Sequence, residues 1–197
     1  MNQEILKNAM NAFVIESESL IKTAEAIDPE QFSKAVEVLS KATRIASAGC
    51  GHSGIACQHF AHLMCCIERP ARFISPAEAV HGGLGYLQEG DVILLVSRGG
   101  KTDELIPLVS IAKAKGAHIV LITANKDSEL ARDADAVLLL PGVPESDRYG
   151  VMSTSSFAST AAIFDALMVG IMEEKDYALS DFALIHPGGA VGKKINL

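Results

Sequence analysis

An α/β fold with a five-stranded, mostly parallel sheet behind two N-terminal helices is the class this sequence predicts. Two observations carry it. Five short β-rich runs, at 44–48, 71–75, 92–97, 118–123 and 136–140, are separated by segments of helical character, the pattern of strands joined by crossover helices. The chain is also of one-domain size, 197 residues of which 49% are hydrophobic, enough to bury a substantial core.

Along the first segment Leu6, Met10, Phe13, Leu20, Ala24 and Ile27 recur at steps of threes and fours, with Ser17 in the gap, which is helical periodicity. Asp28 before Pro29 reads as an N-cap followed by proline at the first helical position, so a second helix runs to about Lys41. Between the strands, helices are expected at 52–67 and 103–115, with a short turn at 128–132. A final long helix over 155–173 covers one face of the sheet. The loop 141–152, rich in proline, glycine and charge, is the longest irregular connection, and long ordered loops in such folds line sites. Residues 1–41 are thus expected to be helices that pack on the domain and on partner subunits, and 42–197 to form one structural unit.

Charge and cysteines narrow the partners. Seventeen basic residues against 24 acidic, a net of −7, argue against holding nucleic acid or an anionic membrane by bulk attraction. Cys50, Cys57, Cys65 and Cys66 contain no C-x-x-C pair and no second cluster, so they read as thiols of a reduced cytosol. The N-terminus lacks a basic region followed by an apolar core, and the apolar stretch 157–172 is short for a bilayer and broken by Ser159, Thr160 and Asp165. A cytoplasmic location without membrane or cofactor is the expectation.

In an open parallel sheet, ligands bind beyond the carboxyl ends of the strands. Three such segments carry anion-binding chemistry. After the first strand, Gly49-Cys50-Gly51-His52-Ser53-Gly54 leads straight into a helix, offering backbone N–H groups and a hydroxyl, although Ser53 could equally be an ordinary N-cap. After the third, Ser97-Arg98-Gly99-Gly100-Lys101-Thr102 holds two hydroxyls and two cations at a helix start, where a phosphate fits. The third segment is Ser153-Thr154-Ser155-Ser156; capping needs only one hydroxyl, so the run points to ligand contacts.

The succession G-x-G-x-S-G, then S-x-x-G-x-T-x-E, then T-S-S resembles the sugar isomerase (SIS) domain of sugar-phosphate isomerases and of glucosamine-6-phosphate synthase. Ala79-Val80-His81-Gly82-Gly83-Leu84-Gly85 and the C-terminal stretch 181–194, with His186-Pro187-Gly188-Gly189, resemble the arabinose-5-phosphate isomerases. The resemblance implies a three-layer α/β/α, flavodoxin- or Rossmann-like fold, usually tetrameric, that interconverts aldose and ketose phosphates through an enediol. It implies a phosphate held by Ser53, Ser97, Thr102 and Ser155 or Ser156, and catalytic positions at Glu145 and His186, the latter reaching a neighbouring subunit's pocket. His52 stands where the family has lysine, Lys101 where it has glutamate, and Gly99 where it has a phosphate-binding serine; Arg98 and Lys101 would add positive charge to the same anion site.

Other readings stay open for these residues. Glu145 lies in a polar loop where glutamates are solvated, His186 could terminate a helix before proline, and His81 could be structural in a glycine-rich turn. His52, His81, Glu145 and His186 are tens of residues apart, a spacing that carries no metal signal. A non-catalytic sensor of a sugar phosphate or nucleotide sugar, or a hexulose-phosphate isomerase, would share the cradle. A homo-oligomer that buries the stripe of the first helix is expected, and the paired CBS domains that commonly follow in the family are absent from the 197 residues.

Overall fold

The computed structural model describes residues 2–195. Two capped helices come first. Asn2 accepts a hydrogen bond from the Glu4 amide at the head of α1 (Gln3–Ala26), and Asp28 accepts from the Glu30 and Gln31 amides at the head of α2 (Pro29–Lys41), satisfying donors that a helix start leaves unpaired.

The rest alternates as the sequence predicts: β1 (Ile45–Gly49), α3 (His52–Cys65), β2 (Ala71–Phe73), α4 (Pro76–Ala79), a 3-10 turn (Gly83–Tyr86), β3 (Val92–Val96), α5 (Ile106–Ala114), β4 (His118–Thr123), α6 (Glu129–Arg132), β5 (Ala136–Leu139) and α7 (Ser155–Lys175). The strands form one sheet in the order β2-β1-β3-β4-β5, and every pairing is parallel, with Ile45 opposite Val92 and Val92 opposite His118. Asp91, almost fully buried, fixes the lower edge by accepting from the Arg44 and Gln88 amides and from Arg44 Nε.

Helices cover both faces, and the inner strands β3 and β4 are apolar on both sides. Val92, Leu94 and Val96 of β3 face a core shared with Leu39 of α2, Phe60 and Met64 of α3, and Phe164 and Leu167 of α7. Ile93 and Leu95, one residue out of phase, face a second core with Leu105, Leu108 and Leu130. The layers are therefore α/β/α. The chain runs outward in opposite directions from β1 and β3, which makes the gap between their carboxyl ends the switch point of the sheet.

The stripe of α1 assigned to a subunit contact is exposed within the single chain at Leu6, Met10, Phe13 and Leu20; the face on α7 is smaller and more polar, with Ser19 and Thr23 buried and Thr23 Oγ1 at 2.9 Å from Ser159 Oγ. Several other expectations are corrected. The helix expected from 103 begins at Ile106, because 103–105 form a turn and Pro107 suits only a first helical turn. α7 is longer than its apolar run: 21 residues, long and apolar enough on length and composition to cross a bilayer. Its Ile163, Phe164, Leu167 and Ile171 are buried in the core. Two helices were not foreseen, α8 (Leu179–Ile185) and α9 (Gly189–Ile195), each only two turns long, and α8 buries no residue, so neither leaves a clear apolar period.

Candidate functional site

At the switch point a cavity of about 280 Å³ opens among Cys50, His52 and Ser53 from β1–α3, Arg98 after β3, Val151 of the long loop, and Ser153, Ser156, Phe157 and Thr160 at the head of α7. That volume lies near the lower end of the range for small-ligand sites, ~300–1,000 Å³.

Two glycines let α3 start against the sheet. Gly51 is its N-cap residue at φ +57°, a conformation that side chains with a Cβ rarely adopt, and a Cβ on Gly54 would lie 2.7 Å from the Gly49 carbonyl oxygen. No side chain caps this helix, so Ser53 is not its N-cap, and the first amides of α3 together with its dipole are directed at the switch point. His52, the first helical residue, stands edge-on to Phe157 with ring centroids 6.4 Å apart. Packing against Phe157 thus restrains the imidazole at the cavity wall.

After β3, the Ser97 and Thr102 hydroxyls are 2.7 Å apart and the Gly100 amide donates to Ser97 Oγ at 3.0 Å. These groups build the turn from which Arg98 projects. Arg98 Nη1 donates to Glu145 Oε1 at 2.8 Å; the arginine side chain is half exposed (51%) and the glutamate side chain fully buried (0%). The other carboxylate oxygen, Oε2, accepts from Thr154 N at 2.9 Å, Thr154 Oγ1 at 3.1 Å and Ser156 N at 3.2 Å. Burial pushes the Glu145 carboxyl up, but hydrogen bonds from Ser156 and Thr154 outweigh it and hold the group below its ordinary value.

Asp147 behaves alike in the loop that follows. Desolvation raises it, while the Met152, Tyr149 and Val151 amides that it accepts prevail and lower it. A carboxyl lowered in the folded state contributes stability above its unfolded value, ~4.3 for glutamate and ~3.9 for aspartate, and loses that contribution as pH falls through the folded value. Unfolding followed by circular dichroism should therefore show stability dropping below about pH 4, and the drop should shrink in Asp147→Asn, whose side chain no longer titrates.

Of the site residues expected from sequence, His52, Ser53, Arg98 and Ser156 line the cavity. Gly51 lines the adjoining cleft between β1 and β2. Ser97 and Thr102 serve the turn, and Gly99 and Lys101 are exposed in it without reaching the cavity lining. Ser155 is fully buried, and its Oγ has no hydrogen-bond partner among the described residues. His81 is exposed beyond α4 and lines neither opening. His186 lies in a separate apolar groove between α3, α7 and α8, stacked on Phe182 with centroids 3.9 Å apart. The four groups weighed as metal ligands therefore do not converge within the chain. Ser153, part of the hydroxyl run singled out from sequence, also lines the cavity, whereas sequence reasoning missed Phe157 and Thr160; with Ser153 and Ser156 they recur at the helical spacing that puts one face of the α7 head on the cavity.

A family model described as SIS domain matches residues 38–170. The chain is 33% identical over 196 residues, 98% of its length, to an arabinose 5-phosphate isomerase of Francisella tularensis, and 30% identical over its whole length to one of Pseudomonas aeruginosa. It spans 60% of the length of each of these relatives. Among solved structures, one from Listeria monocytogenes superposes with a TM-score of 0.91 at 37% identity, covering 95% of this chain and all of that one. The Escherichia coli CFT073 protein c3406, in complex with arabinose 5-phosphate, superposes at 0.86 with 27% identity over 95% of this chain and all of that one.

Proposed function

This chain belongs to the SIS domain family, and on that premise we propose that it interconverts an aldose phosphate and a ketose phosphate through an enediol, with arabinose 5-phosphate as the substrate. One observation carries the reading: a single cavity sets a guanidinium, hydroxyls and an uncapped helix start, which suit a phosphate, beside one imidazole, which suits a proton. The relatives named arabinose 5-phosphate isomerases, and the neighbour bound to that sugar phosphate, support the choice of sugar.

Arg98, Ser53, Ser153 and Ser156 hold the phosphate. A base takes the proton from C2 of the open-chain aldose while the C1 carbonyl oxygen gains a proton, giving the 1,2-enediol. Return of a proton to C1 and loss of the O2 proton then give the ketose. His52 is the side chain of this cavity suited by type to carry the C2 proton at neutral pH. Cys50, which also lines the cavity, is pushed up by burial and by Glu104 and stays a thiol. His186 lines a separate groove and not this cavity, so in this reading it serves the site of a second subunit, and the exposed apolar residues of α1 offer the surface for a cytoplasmic homotetramer.

Incubation with arabinose 5-phosphate in deuterated buffer should yield ribulose 5-phosphate with solvent deuterium at the exchanged carbon. Neither product nor exchange from this sugar, or from pentulose and hexulose phosphates tried beside it, would sink the isomerase reading. Thermal stabilisation by arabinose 5-phosphate without turnover would instead favour a sensor, a reading that His52 and Lys101 in place of the family lysine and glutamate keep in play.

A further inference from the structure

We infer that Glu145 is a positioning residue which aims Arg98 and the head of α7 at the bound phosphate, and that it does not carry the substrate proton. The inference rests on the cavity's being the sugar-phosphate site and deepens that reading.

Every acceptor of the Glu145 carboxylate that the structure shows in use is spent on the protein. Oε1 takes the Arg98 guanidinium, and Oε2 takes two amides and a hydroxyl from Thr154 and Ser156. The side chain is fully buried and does not line the cavity, so the path from carboxylate to ligand runs through the groups it holds. Proton abstraction asks for the opposite, a lone pair within about 3 Å of the substrate carbon-bound hydrogen and a basicity matched to neutral pH.

Held in this way, the carboxylate does two things at once. It fixes one edge of the Arg98 fork and leaves the remaining guanidinium donors, on a half-exposed side chain, for a phosphate oxygen. It also takes up the first-turn amides of α7, whose N-cap Thr154 has no capping side-chain bond of the usual kind. With that turn pinned, Ser153 and Ser156 present their hydroxyls, 2.9 Å apart, to the cavity. Thr154 Oγ1 in turn accepts from the Ser146 amide, tying the long loop to the same point.

Two effects of removing the charge oppose each other. Losing a buried negative charge raises the potential felt by a phosphate, which tightens binding; losing the anchor lets Arg98 and the α7 turn move, which weakens it. The positioning role requires the second to win.

The test is a double-mutant cycle on inorganic phosphate affinity by calorimetry, run on wild type, Glu145→Gln, Arg98→Ala and the double variant, with KM and kcat for arabinose 5-phosphate measured alongside. Circular dichroism of each variant verifies the fold, and Arg98→Ala, which truncates a half-exposed side chain, keeps the test alive if the buried substitution unfolds the protein. Glu145→Gln should weaken phosphate binding about tenfold and raise KM similarly with kcat nearly kept. The double variant should bind less weakly than the sum of the two single losses predicts, because the part of Glu145's role that runs through Arg98 is already gone, while the part that runs through the α7 turn remains to be lost. Arg98→Lys should recover only part of the affinity, and the wild-type advantage should fade at high salt.

Glu145→Gln that binds phosphate as tightly as wild type or tighter while kcat collapses would assign the carboxylate to proton transfer and overturn the inference. Strictly additive effects in the cycle, or a wild type that binds no phosphate, would overturn it too. Phosphate binding with the predicted coupling but without isomerisation would leave the inference standing and sink the isomerase reading alone.

Discussion

His52→Asn is expected to lower kcat for aldose–ketose interconversion by roughly 10²–10⁴-fold while changing inorganic phosphate affinity by no more than about threefold. The reason lies in the division of the cavity. In the proposed site Arg98, Ser53, Ser153 and Ser156 line the cavity with a cation and hydroxyls, whereas His52 lines it with an imidazole, a side-chain type that takes and returns protons. Asparagine keeps a polar side chain of similar reach at the first position of α3 and removes only the titrating ring. Phosphate affinity read by calorimetry and kcat read by product formation separate the two roles. A variant that keeps full kcat would show that proton transfer belongs to another group, with His186, which lines a separate groove, the next to replace; a variant that loses phosphate binding would show that His52 belongs to the cradle.

Phe164→Ala should cost about 3–5 kcal/mol of stability, a large share of the ~5–15 kcal/mol that holds a typical domain. Phe164 of α7 and Phe60 of α3 are both fully buried, with ring centroids 4.8 Å apart and planes tilted by 41°. The pair stands between the two helices whose N-terminal turns form the site, so the void left by truncation is felt as a loosened α3–α7 contact as well as a lost transfer term. Urea unfolding should show a lower midpoint with an unchanged slope, and Phe164→Leu, which leaves a smaller void, should fall between the two. A loss under about 1 kcal/mol would mean that the core collapses around the gap and that α3 and α7 are held elsewhere. Weaker phosphate binding by the folded alanine variant is the functional consequence.

The inner strands β3 and β4 were legible in sequence because each has a compact apolar run closed by turn residues, buried on both faces. Val92 to Val96 is the clearest case, with no polar residue in five. The starts of α2 and α3 were legible for local reasons also: Asp28-Pro29 is a cap that needs only its own neighbours, and Gly51 supplies a positive φ that few other residues tolerate. His52, Ser53 and Arg98 followed, since the topology of a parallel sheet sends whatever follows β1 and β3 to the same edge.

What the sequence determined by itself is therefore what depends on neighbours along the chain, namely periodicity, caps and the order of strands and helices. Only the tertiary structure decided which way side chains point once those elements pack. The run Ser153 to Ser156 looks uniform as text, yet the turn of α7 sends Ser153 and Ser156 to the cavity and Ser155 into the protein. The apolar stripe of α1 does not tell from its text which face the domain itself uses, and within the chain it is Ser19 and Thr23 that make the contact with α7 while Leu6, Met10, Phe13 and Leu20 stay exposed. Glu145 is the sharpest case: in a polar loop a glutamate reads as solvated, and it is buried because Arg98, Thr154 and Ser156, distant or several residues away in sequence, meet it with enough donors to offset the loss of water.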